Sequence, residues 1–206
     1  MSQRDTGLRR FLRRPGGYQG FQDLLGAQRF QRRFAREWVQ AEPGMRVLDI
    51  GCGPASLLAH LPTGVEYHGF DENPAYIAAA RDRHGDRGRF WQARVERQSI
   101  ADLGRFDRVI ALGVLHHLAD PDAAALIALA ASVLAPTGRF VTYDPTFVPG
   151  QGFISRTLVK NDRGTAVRTP DSYAALARAA FPTVTISTIS GHLRVPYHAC
   201  LLTCLP

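Results

Sequence analysis

Arg46-Val47-Leu48-Asp49-Ile50-Gly51-Cys52-Gly53-Pro54 is a short apolar run that ends in Asp-x-Gly-x-Gly, the pattern of a buried strand turning onto a nucleotide-type ligand. Glycine lets a backbone come close to such a ligand, and the N-terminus of the following helix faces the same point. A second apolar run, Val65-Glu66-Tyr67-His68-Gly69-Phe70-Asp71, ends in a carboxylate 22 residues after Asp49. A strand-end acid at that remove can take both hydroxyls of a ribose. The loop departs from the dinucleotide fingerprint G-x-G-x-x-G, because Ser56 stands at the third glycine's place and an acid precedes the first. Such an acidic loop suits a cationic or amine-bearing nucleoside better than a pyrophosphate.

Outward from this bend the pattern alternates strand and helix, as in a parallel sheet with helices on both faces. Strands are expected near 46–50, 65–70, 88–92, 106–112 and 138–143, and helices near 55–61, 74–83 and 121–134, with a short one near 98–103. The helix at 121–134 opens on Asp120-Pro121, a carboxylate cap followed by proline in the first turn, and Asp171 is expected to cap a helix near 171–180. Two strands, 183–189 and 195–202, joined by Gly191, end the chain. Residues 1–20, with Pro15-Gly16-Gly17 among basic and polar groups, read as a mobile basic lead-in. Over 21–40, Phe21, Leu24, Leu25, Phe30, Phe34, Trp38 and Val39 recur at helical spacing between arginines, so an amphipathic helix should cap one flank of the sheet until Glu42-Pro43-Gly44 stops it. The stretch 145–170 is too long and too poor in periodic apolar residues for a simple turn; it is a substrate loop or a lid with its own short helix. The chain thus divides into the 1–20 segment and one domain over 21–206.

Four blocks carry a resemblance. Val47-Leu48-Asp49-Ile50-Gly51-Cys52-Gly53, Gly69-Phe70-Asp71, Phe106-Asp107-Arg108-Val109-Ile110-Ala111-Leu112-Gly113-Val114-Leu115-His116-His117-Leu118 and Leu134-Ala135-Pro136-Thr137-Gly138-Arg139-Phe140-Val141 together resemble the class I S-adenosylmethionine-dependent methyltransferases. In the last block Thr137 replaces the first glycine of that family's L-x-P-G-G turn. The resemblance covers about 40–145 well, and four blocks in order are far more specific than one G-x-G. It implies a Rossmann-like, doubly wound, mostly parallel seven-stranded sheet with an antiparallel last strand, S-adenosyl-L-methionine as cofactor, and methyl transfer by direct displacement.

The resemblance also distributes roles. Asp49 and the backbone of Gly51, Cys52 and Gly53 would hold the methionyl end, and Asp71, with Glu72 beside it, the ribose. Many relatives carry an aspartate after strand three for the adenine amine; here the run is Phe90-Trp91-Gln92-Ala93-Arg94, so the Ala93 position must use backbone, Gln92 or Glu96 instead, while Trp91 reads as core. Leu112 and Gly113 would flank the methionine moiety at the carboxyl end of strand four. His116, ahead of His117, is the candidate proton acceptor because imidazole titrates near working pH, and Tyr143 is a candidate for a hydrogen bond to the acceptor. Asp144-Pro145-Thr146-Phe147 stands after strand five, not after strand four where nucleobase-amine enzymes carry such a motif. Lys160, Arg163, Arg168 and Arg194, with His192, Tyr197 and His198, form either an anion-receptive rim or ordinary surface charge.

Composition narrows the rest. The 206 residues suit one domain with a sizeable core, and no run approaches the roughly 20 apolar residues of a membrane span. Of the net charge of +7, residues 1–40 supply +6, with nine arginines against Asp5, Asp23 and Glu37. Cys52, Cys200 and Cys204 make no disulfide framework and point to a reducing, cytoplasmic setting, and no acid and histidine cluster has metal spacing. The expected acceptor is a small-molecule or lipid-like metabolite, anionic if the rim binds it, methylated on O, N or C; a nucleic acid is disfavoured for want of a recognition module. A catalytically silent cofactor-binding relative and a nicotinamide-dependent oxidoreductase are the rival readings.

Overall fold

The computed structural model describes residues 27–161 and 164–206; the expected lead-in over 1–20, and Phe21, Leu24 and Leu25 of the expected cap helix, lie outside them. Seven strands, β1 (Arg46–Ile50), β2 (Glu66–Asp71), β3 (Gly88–Gln92), β4 (Phe106–Leu112), β5 (Leu134–Pro145), β6 (Thr183–Ile189) and β7 (Ala199–Leu205), form one sheet in the order β3-β2-β1-β4-β5-β7-β6. The pairings from β3 through β5 are parallel, and β7 runs antiparallel to both β5 and β6. The order turns back between β1 and β4, which opens a crevice at their carboxyl ends.

Alternation along the strands builds two cores. Leu48, Ile50, Val109 and Phe140 face one layer, Val47, Ile110 and Val141 the other, because successive side chains leave a strand on opposite faces. Helices α3 (Asp120–Val133) and α5 (Pro170–Arg178) cover the first face. The second is covered by α2 (Pro74–His84) and by α1 (Ala27–Phe34), whose Phe30 and Phe34 are buried while Arg29, Arg32 and Arg33, and Arg36 just beyond it, are exposed. The cap helix does not run regularly to Gln40: it widens into a π turn over Ala35–Val39 and stops at Gln40 with φ +50°, which carries Ala35 and Val39 into the core.

Several boundaries differ from the sequence reading, for local reasons. The expected helix at 55–61 is a single 3-10 turn, Ser56–His60, pinched between Ala55 at φ +51° and Pro62, which disfavours helix in the residue before it. Asp120 does not cap α3; it turns to Arg168 at 2.6 Å, while Pro121 keeps its place in the first turn. Asp171 does not cap α5 either, since Pro170 already occupies the first helical position and Thr169 accepts from the Ser172 N–H at 3.3 Å. Strand five is longer than 138–143, pairing from Leu134 opposite Phe106 across a register shift. The last strand begins at Ala199, opposite Pro145, rather than at 195, where Pro196 has no N–H to give a ladder. Within 145–170 the chain forms the short helix α4 (Phe153–Lys160).

Candidate active site

The bend after β1 rests on left-handed backbone at Gly51, Gly53 and Ala55, with φ of +70°, +54° and +51°. Its stitches run to β2: the Cys52 N–H donates to the Phe70 carbonyl at 2.9 Å and the Gly53 N–H to Asp71 Oδ2 at 2.9 Å. The other Asp71 oxygen accepts from the Asn73 N–H at 2.8 Å, and Asn73, not Asp71, caps α2. A carboxylate has about four acceptor sites, so Asp71 braces the bend and retains capacity for a ligand's hydroxyls. A Cβ on Gly51 would stand 2.7 Å from Val114 Cγ2, inside van der Waals contact and on a backbone that L residues avoid. Gly51→Ala is therefore expected to cost about 1–3 kcal/mol of stability, read as a lowered thermal midpoint; an unchanged midpoint would mean that the bend yields freely.

Asp49 is buried, and its Oδ2 accepts from the Tyr67 hydroxyl at 2.5 Å. Tyr67 is a partner of Asp49 that the sequence reading does not single out. Its ring fills room left by two glycines, since a Cβ on Gly69 or on Gly88 would come within 2.9 Å of it. Asp49 Oδ1 is buried without a hydrogen-bond partner, a cost that native structures carry where something else supplies the donor. Burial first, and then the Asp71 charge, push the Asp49 carboxyl up to about 7, against the Tyr67 hydrogen bond. Cys52 packs its sulfur toward Gly69, and burial pushes its thiol far up, so it contributes backbone and bulk rather than a nucleophile.

Beside the bend lies a cavity of about 850 Å³. Gly51, Asp71, Glu72 and Ala93 line it, Glu72 as an exposed residue at the mouth. Phe70, Val95, Val114, Leu118, Leu126 and Leu129 give it apolar walls, and the 93–98 loop supplies the rim where relatives carry an aspartate. The Glu96 backbone there is tied down through the Ser99 hydroxyl. Trp91 is not core: it is 39% exposed and stacks on Phe70 at 5.7 Å. Asp49, Cys52, Gly53, Leu112, Gly113, His116, His117 and Tyr143 stand outside the lining, Asp49 buried behind it. Gly113, at φ +73°, joins the ends of β4 and β5 through its N–H on the Tyr143 carbonyl at 2.6 Å.

Of the three candidate catalytic side chains, His116 and His117 lie together and Tyr143 stands apart. Tyr143 and Asp144 are neighbours on β5 and so leave it on opposite faces. On one face His116 is buried with its Nδ1 2.8 Å from Asp144 Oδ1, and the same oxygen accepts the His116 backbone N–H at 3.1 Å. Burial pushes the Asp144 carboxyl up, against the His116 contacts that pull it down. Gly164 presses on this ring so closely that a Cβ there would meet His116 Cδ2 at 2.1 Å. His117 is exposed, its ring 4.0 Å from that of His116. On the other face the Tyr143 hydroxyl meets His192 Nε2 at 2.7 Å, with Phe30 4.6 Å from the Tyr143 ring. Burial, then the charges of Arg33 and His198, bring His192 down to about 4, so it is neutral at working pH.

The expected rim comes apart too. Arg168 is 9% exposed and clamps Asp120 and the Leu115, Leu118 and Ala166 carbonyls, which makes it a structural tie between the loop and the end of β4. His198 pairs with the Ser155 hydroxyl at 2.8 Å. Lys160 and Arg194 remain exposed, and Arg163 lies outside the described residues.

A sheet that reverses at β1 and β4, with a left-handed glycine bend and acids at the ends of β1 and β2, is the nucleoside crevice of the class I S-adenosylmethionine-dependent methyltransferase fold. The chain belongs to that family. A family model described as a methyltransferase domain matches residues 47–138. The ubiquinone biosynthesis O-methyltransferase of Xanthomonas campestris pv. campestris (strain B100) is 31% identical over 172 residues, covering 76% of this chain and 70% of that protein. Among solved structures, PigF with SAH aligns at a TM-score of 0.69 and 19% identity, over 99% of this chain and 63% of that one. Human N-acetylserotonin methyltransferase in complex with SAM aligns at 0.63 and 16%, over 95% and 57%; likenesses this low in identity speak for the fold. Other curated relatives are matched over only 24% to 45% of their own length. S-adenosylmethionine is the family's cofactor, and a buried Asp49 oxygen without a hydrogen-bond partner, a close backbone at Gly51 and the strand-end Asp71 are groups that suit a ligand carrying a cation and a diol.

Proposed function

We propose that this chain transfers the methyl group of S-adenosylmethionine by direct displacement to a small or lipid-like acceptor. The observation that carries the reading is the buried Asp49 carboxylate, with one oxygen held by Tyr67 and the other awaiting a donor. The bound cofactor supplies an activated methyl on a sulfonium. The chain's own residues bind and align: Asp71 takes the ribose hydroxyls, Asp49 the methionyl ammonium, and the 93–98 loop borders the base. Glu72 adds negative charge at the mouth. Oxygen is favoured as the acceptor atom by the O-methyltransferase names of several relatives. A hydroxyl acceptor must lose a proton, and two imidazoles stand at the carboxyl end of the sheet to manage it, His116 held by Asp144 and His192 held by Tyr143. Release of S-adenosylhomocysteine from a panel of hydroxylated acceptors tests the reading; tight cofactor binding with no release from any acceptor would instead make this a silent relative.

The Asp49 pair makes a sharper prediction. With its carboxyl raised to about 7, Asp49 is protonated and neutral below that pH and must shed the proton to hold an ammonium. S-adenosylhomocysteine affinity should thus rise about tenfold per pH unit up to roughly pH 7 and then level. Methylthioadenosine, which lacks the amine, should show no such slope. The Tyr67 bond favours the charged carboxylate, so Tyr67→Phe should move the break upward. Calorimetry across pH 5 to 9 measures both, and a break that stays in place in Tyr67→Phe would remove Tyr67 from the site.

A further inference from the structure

Four large hydrophobic side chains stand exposed among the described residues, and three of them are on α4: Phe153 at 84%, Ile154 at 63% and Leu158 at 38%. The helix is anchored from its other side, where Ser155 and Val159 are buried at 2% and 1%. At 3.6 residues per turn, Ile154 and Leu158 lie one above the other, Phe153 borders them, and the apolar crest points away from the domain. Arg156 and Lys160 lie along its Phe153 edge, Arg156 over the Phe147 ring at 5.4 Å, and no acid occurs between Pro145 and Lys160. The Ser155 hydroxyl bonds His198 at 2.8 Å and the amide of Gln151 at 2.9 Å, which seats the helix beyond the Pro145 end of β5, on the side of the sheet where the crevice opens.

We propose that the α4 crest is a docking surface for an anionic lipid bilayer. An exposed apolar face rimmed by cations is how a short helix lies in the headgroup region, burying its hydrophobic side while its arginine and lysine meet lipid phosphates. At eight residues the helix is far too short to span, and no described helix is long and apolar enough to do so. Self-association is the weaker alternative, because a two-fold contact through this face sets Arg156 and Lys160 of one copy against those of the other in a chain of net charge +7. The surface is independent of which acceptor the site takes.

Flotation of the full chain with extruded vesicles tests it. Partition should be at least tenfold stronger onto phosphatidylcholine vesicles containing phosphatidylglycerol than onto phosphatidylcholine alone, and should weaken with salt. Phe153→Ser/Ile154→Ser/Leu158→Ser should lower it at least tenfold, and Arg156→Glu/Lys160→Glu should remove the preference for anionic lipid, both with unchanged S-adenosylhomocysteine affinity and thermal midpoint. Should the triple variant unfold, Phe153→Ser alone is expected to lower partition in the same direction. Three results overturn the proposal: a wild-type chain that stays with the unbound fraction, a triple variant that floats like wild type, or a wild-type dimer that the triple variant dissolves. Loss of binding only on Arg9→Gln/Arg10→Gln/Arg13→Gln/Arg14→Gln would also overturn it, by moving the contact to the basic N-terminal segment.

Discussion

Asp71→Ala is expected to lower S-adenosylhomocysteine affinity by about a thousandfold. Two charge-assisted hydrogen bonds to the ribose are worth roughly 1.5–3 kcal/mol each, and about 4 kcal/mol is three decades in affinity. The same substitution frees the Gly53 and Asn73 N–H groups that the carboxylate now holds at 2.9 and 2.8 Å, so the bend loses its stitch to β2 along with the ligand's anchor. Asp71→Asn separates the two effects, since its single carbonyl oxygen can keep only part of the set and should fall between. Calorimetry with S-adenosylhomocysteine and with adenosine measures both, and wild-type affinity in Asp71→Ala would mean that the nucleoside does not sit at the tips of β1 and β2.

What the sequence made legible is what short-range chemistry writes. An apolar run ending at Asp49, glycines at 51 and 53, and a second run ending at Asp71 locate two strand ends and a left-handed turn within some 25 residues. What it hid depends on how distant elements meet. Tyr67 reaches Asp49 only because β1 and β2 pair in the register Val47 with Tyr67 and because Gly69 and Gly88 leave room for the ring; alternation alone marks Tyr67 as one more core aromatic. His116 and Asp144 are both visible as polar residues at strand ends, yet their bond spans 28 residues and exists because β4 and β5 are neighbours. The grouping of His116 with Tyr143 fails because Tyr143 and Asp144 leave one strand on opposite faces, and it is Asp144 that meets the histidine. The two expected caps are displaced for different reasons: at Thr169-Pro170 the residue before proline takes the cap and Asp171 is left as first-turn charge, while Asp120 is drawn off by Arg168. Arg168, read as a candidate for anion capture, is consumed by Asp120 and three carbonyls, an outcome that required knowing where the 145–170 segment closes on the sheet.

His116→Asn is expected to lower turnover by a hundredfold or more while leaving S-adenosylhomocysteine affinity within about twofold. Loss of a positioned proton acceptor costs typically 10²–10⁴ in rate, whereas the ring pairs with Asp144 and does not line the cavity beside the bend. An ionised Asp144, 2.8 Å from Nδ1, would accept the ring's proton on that side and leave Nε2 as the basic nitrogen. It follows that Asp144→Asn should also slow turnover and shift its pH profile, because an amide no longer stabilises the imidazolium. Gly164→Ala supplies an independent displacement of the same pair: its Cβ would stand 2.1 Å from His116 Cδ2 and 2.6 Å from the His116 carbonyl oxygen, so ring and backbone must both shift against Asp144 and turnover should fall. If all three variants turn over at the wild-type rate, the His116 and Asp144 pair is an internal brace between β4 and β5. The acceptor's proton then belongs to the opposite face, where Tyr143→Phe, which strips the hydroxyl from His192, becomes the variant expected to slow the reaction.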